Sequence, residues 1–312
     1  MNCLIINDMH PSIFQMMEAL SITVDYQPNL AQSKIADTIG NYDGLLVRGK
    51  KITKEIISKA KNLKFIGRAG AGLDNIDIEA AKEKGIQLFK APEGNRDAVA
   101  EHTLGLILNI LNKLRTADSE VRSFKWDREG NRGYELGGKT VGIIGYGYMG
   151  NAFSKRLIGF NCNVIAYDKY KKNYTNKWTK EASLSQLFEE TDILSIHVPL
   201  TPETHKMFDY SFFCKFRKNI IIINTARGEV LVLNDLLRAI NEGKVLGAGL
   251  DVLENEKLHA LSEDQKATFD QLIANDSVLL SPHVGGWSYE SHIRINQAVS
   301  YTHLTLPTTS RV

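Results

Sequence analysis

Thr140-Val141-Gly142-Ile143-Ile144-Gly145-Tyr146-Gly147-Tyr148-Met149-Gly150 is the stretch that decides the fold class of this 312-residue chain. Its first five residues are rich in β-branched side chains and predict a buried strand. Three glycines follow at the spacing Gly-x-Gly-x-x-Gly, and residues 152–160 then show a helical pattern. A strand, a glycine-rich turn and a helix in direct succession are typical of a parallel α/β sheet.

The same alternation of short β-branched runs and helical patterns extends to both sides of this stretch. Helices are predicted at 54–61 and 78–84, a turn at 91–95, and a long helix from about 96 to 119. The middle of the long helix is apolar on nearly every face, which predicts that it is covered on two sides. Strands are predicted near residues 2–7, 22–26, 43–47, 63–67, 86–89, 140–145, 163–167, 192–197, 219–223, 246–250 and 277–281.

Composition and charge are those of an ordinary globular protein and exclude several classes of partner. The chain is 43% hydrophobic and 24% charged, and its net charge of +2 does not favour a nucleic-acid-binding surface. No apolar run approaches the roughly 18 residues of a membrane span, and residues 1–8 lack the features of a signal peptide. Three cysteines without a Cys-x-x-Cys pair indicate neither a disulfide framework nor a metal site. We therefore expect a soluble, cytoplasmic protein.

The glycine-rich turn is of the kind that holds the pyrophosphate of a dinucleotide. Gly145 permits a tight turn, Gly147 lets the backbone approach the phosphates, and Gly150 lets the helix pack closely on the strand. The next strand ends at Asp168, where a carboxylate accepts the ribose hydroxyls of NAD and repels the 2′-phosphate of NADP. A structural turn followed by a capping aspartate is the plainer alternative. The register of strand, loop, helix and acid favours an NAD site.

An arginine, a carboxylate and a histidine follow later strands, in the segments 225–228, 251–256 and 281–286. The planar guanidinium of Arg227 suits the oxygens of a 2-keto acid. His283 is of the side-chain type that titrates near neutral pH, and Glu256 beside it would orient the ring and favour imidazolium. Taken singly, Arg227 is more commonly part of a surface ion pair, His283 a structural histidine and Glu256 a solvated acid. Together, behind a dinucleotide loop, they predict hydride transfer between NAD and a 2-hydroxy acid.

Among the other histidines, the pattern places only His197 near the cofactor, because it ends the predicted strand 192–197. The rest lack an acidic partner in the pattern and are interpreted as structural: His10, His102, His205, His259, His292 and His303. The last segment, 301–312, is rich in threonine and contains Pro307, which makes it a poor helix former. We interpret it as a non-native tail and leave it out of the fold prediction.

These motifs resemble the D-isomer-specific 2-hydroxyacid dehydrogenase family over roughly residues 1–300. The segments that carry the resemblance are Gly-Tyr-Gly-Tyr-Met-Gly (145–150), His-Val-Pro-Leu-Thr-Pro-Glu-Thr (197–204), Asn-Thr-Ala-Arg-Gly (224–228), Gly-Leu-Asp-Val-Leu-Glu-Asn-Glu (249–256) and Pro-His-Val-Gly-Gly (282–286). The resemblance implies an α/β fold of two doubly wound parallel-sheet domains. A Rossmann NAD-binding domain, 96–284, is then inserted in a flavodoxin-like substrate domain formed by 1–95 and 285–312. A small-molecule substrate, an interdomain catalytic cleft and a homodimer built on the helix region 96–119 are also implied.

The family assigns catalysis to Arg227, Glu256 and His283. Glu256 matches rather than Glu254, because the family's glutamate lies five residues after its aspartate. Asp251 is implied to contact the nicotinamide amide. The implied cofactor-binding residues are Gly145, Tyr146, Gly147, Tyr148, Met149, Gly150, Asp168, His197, Val198, Pro199, Thr204, Thr225, Ala226, Arg227, Asp251, His283 and Gly285.

Within the family, the segments 47–49 and 67–77 are most similar to members that oxidise 3-phosphoglycerate in serine synthesis. In those members the N–H groups of the glycine-rich loop hold the substrate carboxylate, and two arginines bind or steer the phosphate. Lys50 and Lys51 are expected to add positive charge there, although cations beside strands are more commonly just solvated. The implied substrate-binding residues are Arg48, Gly49, Arg68, Ala69, Gly70, Ala71, Gly72 and Asn95.

Two residues depart from the family pattern. Lys257 replaces the usual proline, which predicts an altered loop, and Trp287 replaces a small residue, which predicts a narrower pocket mouth. The resemblance is to a short form without a C-terminal regulatory domain, so inhibition by serine through such a domain is not expected. Two alternatives stay open: a reductase of glyoxylate, hydroxypyruvate or another 2-keto acid, and, from a different class, an NAD-sensing binding protein like the corepressors of this fold.

Overall fold

A computed structural model describes residues 1–302, and the chain forms two units. One unit comprises Met1–Arg96 together with the segment that begins at Trp287, and the other comprises Asp97–Gly286. Most of the predicted non-native tail, residues 303–312, lies outside the described residues. Within the described part of the chain, no helix combines the length and the apolar character that crossing a membrane requires.

Strands and helices alternate along both units. The strands are β1 (Asn2–Ile5), β2 (Thr23–Tyr26), β3 (Gly44–Val47), β4 (Phe65–Arg68), β5 (Gln87–Lys90), β6 (Thr140–Ile144), β7 (Asn163–Tyr167), β8 (Lys180–Glu181), β9 (Ile193–Ile196), β10 (Ile220–Asn224), β11 (Val245–Leu250) and β12 (Val278–Leu280). The helices are α1 (Ser12–Ala19), α2 (Ile35–Thr38), α3 (Lys54–Lys59), α4 (Ile78–Glu83), α5 (Pro92–Asn112), α6 (Leu114–Arg122), α7 (Tyr148–Arg156), α8 (Leu184–Glu190), α9 (Tyr210–Cys214), α10 (Leu233–Asn241), α11 (Glu263–Ile273) and α12 (Tyr289–Gln297). A π-helix, Ala298–Thr302, follows α12.

The first unit contains a parallel sheet in the order β2-β1-β3-β4-β5. All four residues of β3 are buried, which a strand covered on both faces requires. Leu45 and Val47 enter one apolar cluster, whereas Leu46 enters another on the opposite face. This strand order and the helices on both faces are those of a flavodoxin-like fold.

The second unit contains a parallel sheet in the order β12-β11-β10-β9-β6-β7-β8. From β6 the chain adds β7 and β8 on one side, then returns and adds β9 to β12 on the other. The reversal makes a topological switch point between β6 and β9, the place where open α/β sheets bind ligands. The predicted pair of doubly wound parallel-sheet domains, one of them a Rossmann domain, is therefore confirmed. Only β8 was not predicted, because two residues are too few to give a strand pattern.

The long helix differs from the prediction at both ends. It begins at Pro92, within the predicted turn 91–95, because proline at the first position of a helix removes an N–H that has no partner there. It ends at Asn112, and the helical path resumes as α6 only after Lys113, whose φ is +52°. The side chain of Asn109 accepts a hydrogen bond from the N–H of Arg115 across this break. Such a side-chain contact replaces the helical hydrogen bond locally and leaves no pattern in the sequence.

Candidate active site

The segments predicted to carry the chemistry follow six strands of the second unit at one edge of its sheet. Parallel strands share the direction of their carboxyl ends, so loops after neighbouring strands lie side by side. The glycine-rich turn follows β6, Asp168 follows β7 and His197 follows β9. Thr225 to Arg227 follow β10, the 251–256 segment follows β11, and His283 follows β12.

The glycine-rich turn needs glycine for steric reasons. Gly145 has a φ of +94°, and a Cβ there would lie 2.5 Å from the carbonyl oxygen of His197. A Cβ on Gly150 would lie 2.2 Å from the carbonyl oxygen of Gly145. At Gly147, by contrast, a Cβ would meet no atom of the described residues within 4 Å apart from its immediate chain neighbours. The backbone at the amino end of α7 is therefore open to the close approach of a phosphate group.

Asp168 is held beside this turn by three backbone N–H groups. One carboxylate oxygen accepts the N–H of Tyr146 at 2.8 Å, and the other accepts those of Tyr170 and Lys171, each at 2.9 Å. Burial raises the pKa of Asp168, but these three hydrogen bonds outweigh it and lower the pKa below its usual range. The residue is therefore a fixed carboxylate at neutral pH, as recognition of ribose hydroxyls requires.

Two predicted cofactor residues point their side chains into the protein. The phenol of Tyr146 is buried, its ring stacked on that of Tyr174 at 4.6 Å between centroids. The ring of His197 is buried beside Phe153, and one nitrogen lies 2.9 Å from the hydroxyl of Ser195. Burial lowers the pKa of His197 to about 3, so this histidine is neutral at physiological pH. Any contact of these two residues with a cofactor would involve their backbone.

The loop after His197 closes on itself. The hydroxyl of Thr204 donates to the carbonyl of Pro199 at 2.6 Å, and the N–H of Thr201 donates to that hydroxyl at 2.9 Å. The predicted residues Val198, Pro199 and Thr204 thus belong to one compact turn next to the glycine-rich loop.

Glu256 and His283 form a direct pair. The Oε1 atom of Glu256 lies 2.8 Å from Nδ1 of His283, and each side chain is about half exposed. A carboxylate at Nδ1 fixes the proton on that nitrogen and leaves Nε2 to exchange a proton with a bound molecule. Lys257 does not prevent this contact: its N–H donates to the side chain of Asn255 and closes a turn just after the glutamate.

Arg227 stands at the end of β10, and two strand spacings, about 10 Å, separate β10 from β12 in the sheet. The amide of Asn224 braces its turn: it donates to the carbonyl of Arg227 and accepts the N–H of Ala226. One guanidinium nitrogen donates to the carbonyl of Ala226 at 2.7 Å. The hydroxyl of Thr225 lies 3.0 Å from that of Thr103 on α5, which secures the other side of the turn.

Asp251 holds the turn that carries His283. Its buried carboxylate accepts the N–H groups of Val284 and Gly285, and its carbonyl accepts the N–H of His283. His283 itself has a φ of +54°, a strained conformation for a residue other than glycine. Strained backbone of this kind persists where surrounding contacts impose it, and it is common at functional sites.

One residue of this cluster, His102, was not predicted from the sequence. His102, interpreted above as structural, lies on α5 with Nε2 2.8 Å from the hydroxyl of Ser281, which donates to Asp251 at 2.6 Å. His102 is 179 positions from Ser281 in the chain, so no local motif could indicate the contact.

The residues predicted to bind substrate lie in the first unit, most of them after β3 and β4. Arg48 and Gly49 follow β3, and their N–H groups donate to the side chain of Asn7. Arg68 ends β4, and its guanidinium lies over Gly70, where a Cβ would be 1.7 Å from Nη1. Asn95 lies in the first turn of α5. The described residues provide no hydrogen-bond acceptor for the N–H groups of Ala71 and Gly72, which are thus available to an anion.

Arg48 makes a contact that the sequence did not predict. Its guanidinium lies 3.0 Å from the centroid of the Trp287 ring, and Nη1 lies 3.2 Å from Nε2 of His292, which accepts the hydrogen bond. Burial, and to a lesser degree the positive charge of Arg68, lowers the pKa of Arg48 to about 10. Trp287, expected from the sequence to narrow a pocket mouth, covers one face of this arginine.

Lys50 does not join this positive cluster. Its ammonium donates to the main-chain carbonyls of Ile6, Pro28 and Leu30 at 2.5 to 2.8 Å. The expected contribution of Lys50 to an anion site is therefore wrong: its charge stabilises the loops that follow β1 and β2. Lys51 remains exposed.

Comparison with known proteins assigns the second unit. The profile of the D-isomer specific 2-hydroxyacid dehydrogenase, NAD binding domain, matches residues 104–285. The chain is 37% identical over 279 residues to a hydroxypyruvate reductase of Thermotoga maritima, which covers 89% of this chain and 88% of that protein. It is 36% identical over 292 residues to a D-3-phosphoglycerate dehydrogenase of Methanocaldococcus jannaschii, covering 92% of this chain but only 54% of that protein. The chain thus spans about half the length of the phosphoglycerate dehydrogenase it matches.

Solved structures of similar fold support the same assignment. The crystal structure of a D-lactate dehydrogenase from Aquifex aeolicus, complexed with NAD and lactic acid, superposes with a TM-score of 0.82 at 28% identity. That similarity covers 95% of this chain and 92% of the other. The fold, the glycine-rich turn and the matched domain together show that the chain belongs to the D-isomer specific 2-hydroxyacid dehydrogenase family and contains its NAD-binding domain.

Proposed function

We propose that this protein transfers a hydride between NAD and a D-2-hydroxy acid, with 3-phosphoglycerate and 3-phosphohydroxypyruvate as the substrate pair. The observation that carries the proposal is the 2.8 Å contact between Glu256 and His283, which lie in the loops after β11 and β12. Arg227 lies in the loop after β10, the strand next to β11. The carboxyl edge of the second sheet then has a group that can transfer a proton, His283, and a guanidinium that can bind an anion, Arg227. Both lie beside the proposed dinucleotide site.

The three residues have separate tasks. Bound NAD supplies or accepts the hydride. Arg227 holds the substrate carboxylate and polarises the C2 oxygen, because its planar fork can donate to both groups. In reduction, Nε2 of His283 donates the proton that the C2 oxygen takes up; in oxidation it accepts that proton. Glu256 stabilises the imidazolium and fixes the ring.

We assign NAD binding to the second unit and substrate recognition to the first. The glycine-rich turn, Asp168 and Thr204 would hold the dinucleotide, with Thr225, Ala226, Asp251 and Gly285 toward its nicotinamide end. The N–H groups of Ala71 and Gly72 would take the substrate carboxylate, and Asn95, whose buried amide oxygen has no partner among the described residues, would complete this group.

The phosphate assignment is supported by two guanidinium groups after neighbouring strands. Arg48 and Arg68 lie close enough that each repels the other, and Arg68 lowers the pKa of Arg48. A phosphate dianion between them would relieve that repulsion and accept several hydrogen bonds. An enzyme for 3-phosphoglycerate would act in serine synthesis, and the three cysteines, all free thiols, are compatible with a reducing cytoplasm.

A second candidate function is hydroxypyruvate reduction. The contact of Arg48 with Trp287 and His292 favours it, because an arginine that is already covered on one face and hydrogen-bonded is less available to a phosphate. The Thermotoga maritima relative named hydroxypyruvate reductase is also matched over most of its length. An NAD-responsive binding protein without turnover is the candidate from another class.

We also propose that the protein forms a homodimer through the α5–α6 region. Phe124 and Trp126, just after α6, are 100% and 85% exposed, and Tyr134 is 69% exposed. Tyr134 also lines a cavity of about 760 Å³ at the amino ends of the second sheet, together with Ile110, Leu111, Leu246 and Leu279 among others. Large aromatic side chains are seldom left this exposed, and a second copy would supply the same apolar surface in return.

The substrate assignment predicts a selective loss when Arg48 is replaced by alanine. Reduction of 3-phosphohydroxypyruvate should lose about 100-fold in kcat/KM, because two charge-assisted hydrogen bonds disappear, whereas reduction of hydroxypyruvate should scarcely change. Steady-state assays with both substrates and with NADH or NADPH measure this. Lys51→Ala, the loss of a nearby exposed charge, is the matched control. Equal activity on both substrates in the wild type, or equal losses in the variant, would favour hydroxypyruvate; no turnover with intact NADH binding would favour the binding protein.

Removing the charge of Glu256 should slow the proton transfer. Glu256→Gln is expected to lower kcat by about 100-fold, because the amide still meets the ring but no longer stabilises imidazolium. Glu254→Gln is the matched control: the carboxylate of Glu254 accepts the N–H of Leu233 at 2.8 Å and serves another loop. Stopped-flow reduction of the keto acid would separate this step from product release, and equal rates in the two variants would contradict the assignment.

Asp168 should determine the choice between the two nicotinamide cofactors. Asp168→Ser is expected to reduce kcat/KM for NAD by about tenfold and to raise that for NADP, because the repulsion of a 2′-phosphate is lost while Lys172 nearby is exposed. Asp168→Asn keeps an acceptor for the backbone N–H groups and separates loss of charge from loss of loop structure. An unchanged NAD-to-NADP ratio in both variants would refute the role.

The dimer proposal predicts a change in mass. Light scattering after gel filtration should give twice the mass of the chain for the wild type, and that of one chain for Trp126→Glu, because a carboxylate cannot be buried unpaired in an apolar interface. Tyr289→Glu, at a residue that is 93% exposed in the other unit, is the control. A wild type that elutes as a monomer at micromolar concentration would end the proposal.

A further inference from the structure

His102 is part of a hydrogen-bonded chain that ends at the carboxylate of Asp251. Its Nε2 atom lies 2.8 Å from the hydroxyl oxygen of Ser281 and 3.4 Å from Oδ1 of Asp251. The Ser281 hydroxyl lies 2.6 Å from the same Oδ1 atom. The imidazole is about one quarter exposed, whereas the carboxylate is almost completely buried.

The direction of these hydrogen bonds follows from the number of protons. Asp251 is a carboxylate and can only accept, so Ser281 uses its single hydroxyl proton on it. The hydroxyl oxygen must then accept from His102, which requires a proton on Nε2 of His102. The imidazole of His102, the hydroxyl of Ser281 and the buried carboxylate thus form one hydrogen-bonded chain. The hydrogen bonds within such a chain polarise one another.

The same carboxylate also holds the catalytic turn. Oδ1 accepts the N–H of Val284 at 2.9 Å and Oδ2 accepts that of Gly285 at 2.8 Å. A Cβ on residue 285 would lie 2.8 Å from Oδ2 and 3.3 Å from Cδ2 of His102, so the turn, the carboxylate and the imidazole are packed together without spare room. A movement of the carboxylate would therefore move the backbone that presents His283.

We propose that His102 is a positioning residue for catalysis: through Ser281 it fixes the carboxylate of Asp251, which in turn imposes the left-handed backbone of His283. The inference rests on the proposed function, because it concerns the residue that exchanges the proton. It extends that function to a residue of α5 outside the proposed set of catalytic residues.

Hydrogen bonding at Asp251 supports this arrangement. Burial raises the pKa of Asp251, and the contacts with His102, Ser281, Gly285 and Val284 together lower it below the usual range. Without the imidazole and the hydroxyl, the buried carboxylate would keep only the backbone donors. The carboxylate would then be free to turn toward water, and its hold on the two N–H groups would weaken.

The test compares two replacements of His102 in the full chain. His102→Met removes the donor and keeps a side chain of similar length; His102→Gln keeps an N–H donor. The expected result is about a tenfold lower kcat for His102→Met with little change in the KM for the keto acid, and recovery in His102→Gln. Equal kcat in His102→Met and the wild type, or equal damage in both variants, would overturn the proposal.

A double-mutant cycle with Ser281→Ala tests whether the two residues act as one chain. Because Ser281 relays the contact, the double variant His102→Met/Ser281→Ala should be no slower than the worse single variant. If the fold-losses in kcat of the two single variants multiply in the double variant, the two residues act independently, and the relay is overturned.

A measurement without turnover distinguishes failure of this inference from failure of the proposed function. Protein labelled with ¹³C-histidine gives a ring resonance for His283, assigned by its absence in His283→Asn. Displacement of that resonance in His102→Met, and its return in His102→Gln, supports positioning even if no keto acid is reduced. An unmoved resonance in a folded His102→Met protein overturns it.

Discussion

Loops that leave the same edge of a parallel sheet are forced into one neighbourhood, and the proposed chemistry of the second unit depends on that constraint. The order β12-β11-β10-β9-β6-β7 places the proton carrier, its carboxylate and the guanidinium on three adjacent strands. The glycine-rich turn follows after one intervening strand. Groups separated by more than a hundred residues therefore meet without any contact between distant segments having to be specified one by one.

Burial decides which histidine of this edge can do proton chemistry. His197 also follows a strand beside the glycine-rich turn, but its ring is inside the protein and burial lowers its pKa to about 3. It cannot carry a proton at neutral pH, so it serves the packing under α7. His283 is half exposed and has a carboxylate on Nδ1. These two histidines both follow strands at the same edge of the sheet. They differ in their capacity to exchange a proton because one ring is buried and the other is half exposed.

The sequence was sufficient for what repeats along the chain. Strand after strand is marked by β-branched runs such as Ile220–Asn224, and the glycine spacing and the later motifs identified the edge of the sheet that matters. The sequence pattern could not predict contacts between side chains that lie far apart in the chain. The contact of His102 with Ser281, the cover of Trp287 on Arg48 and the carbonyl ligands of Lys50 join residues far apart in the chain. Periodicity contains no information on such pairs, because each residue alone fits several environments.

Two arginines of the first unit, Arg48 and Arg68, form the proposed phosphate site. Arg48 gives up part of its hydration to lie on Trp287, and the positive charge of Arg68 nearby makes that burial less favourable. Two close guanidinium groups with restricted access to water are poised for an anion, since a dianion would offset both the repulsion and the lost hydration. A neutral hydroxymethyl group would offset neither. Under the proposed function, the electrostatics of this pair favour a phosphorylated substrate, while the cover of Trp287 opposes its access. The balance of the two would then set the selectivity between 3-phosphohydroxypyruvate and hydroxypyruvate.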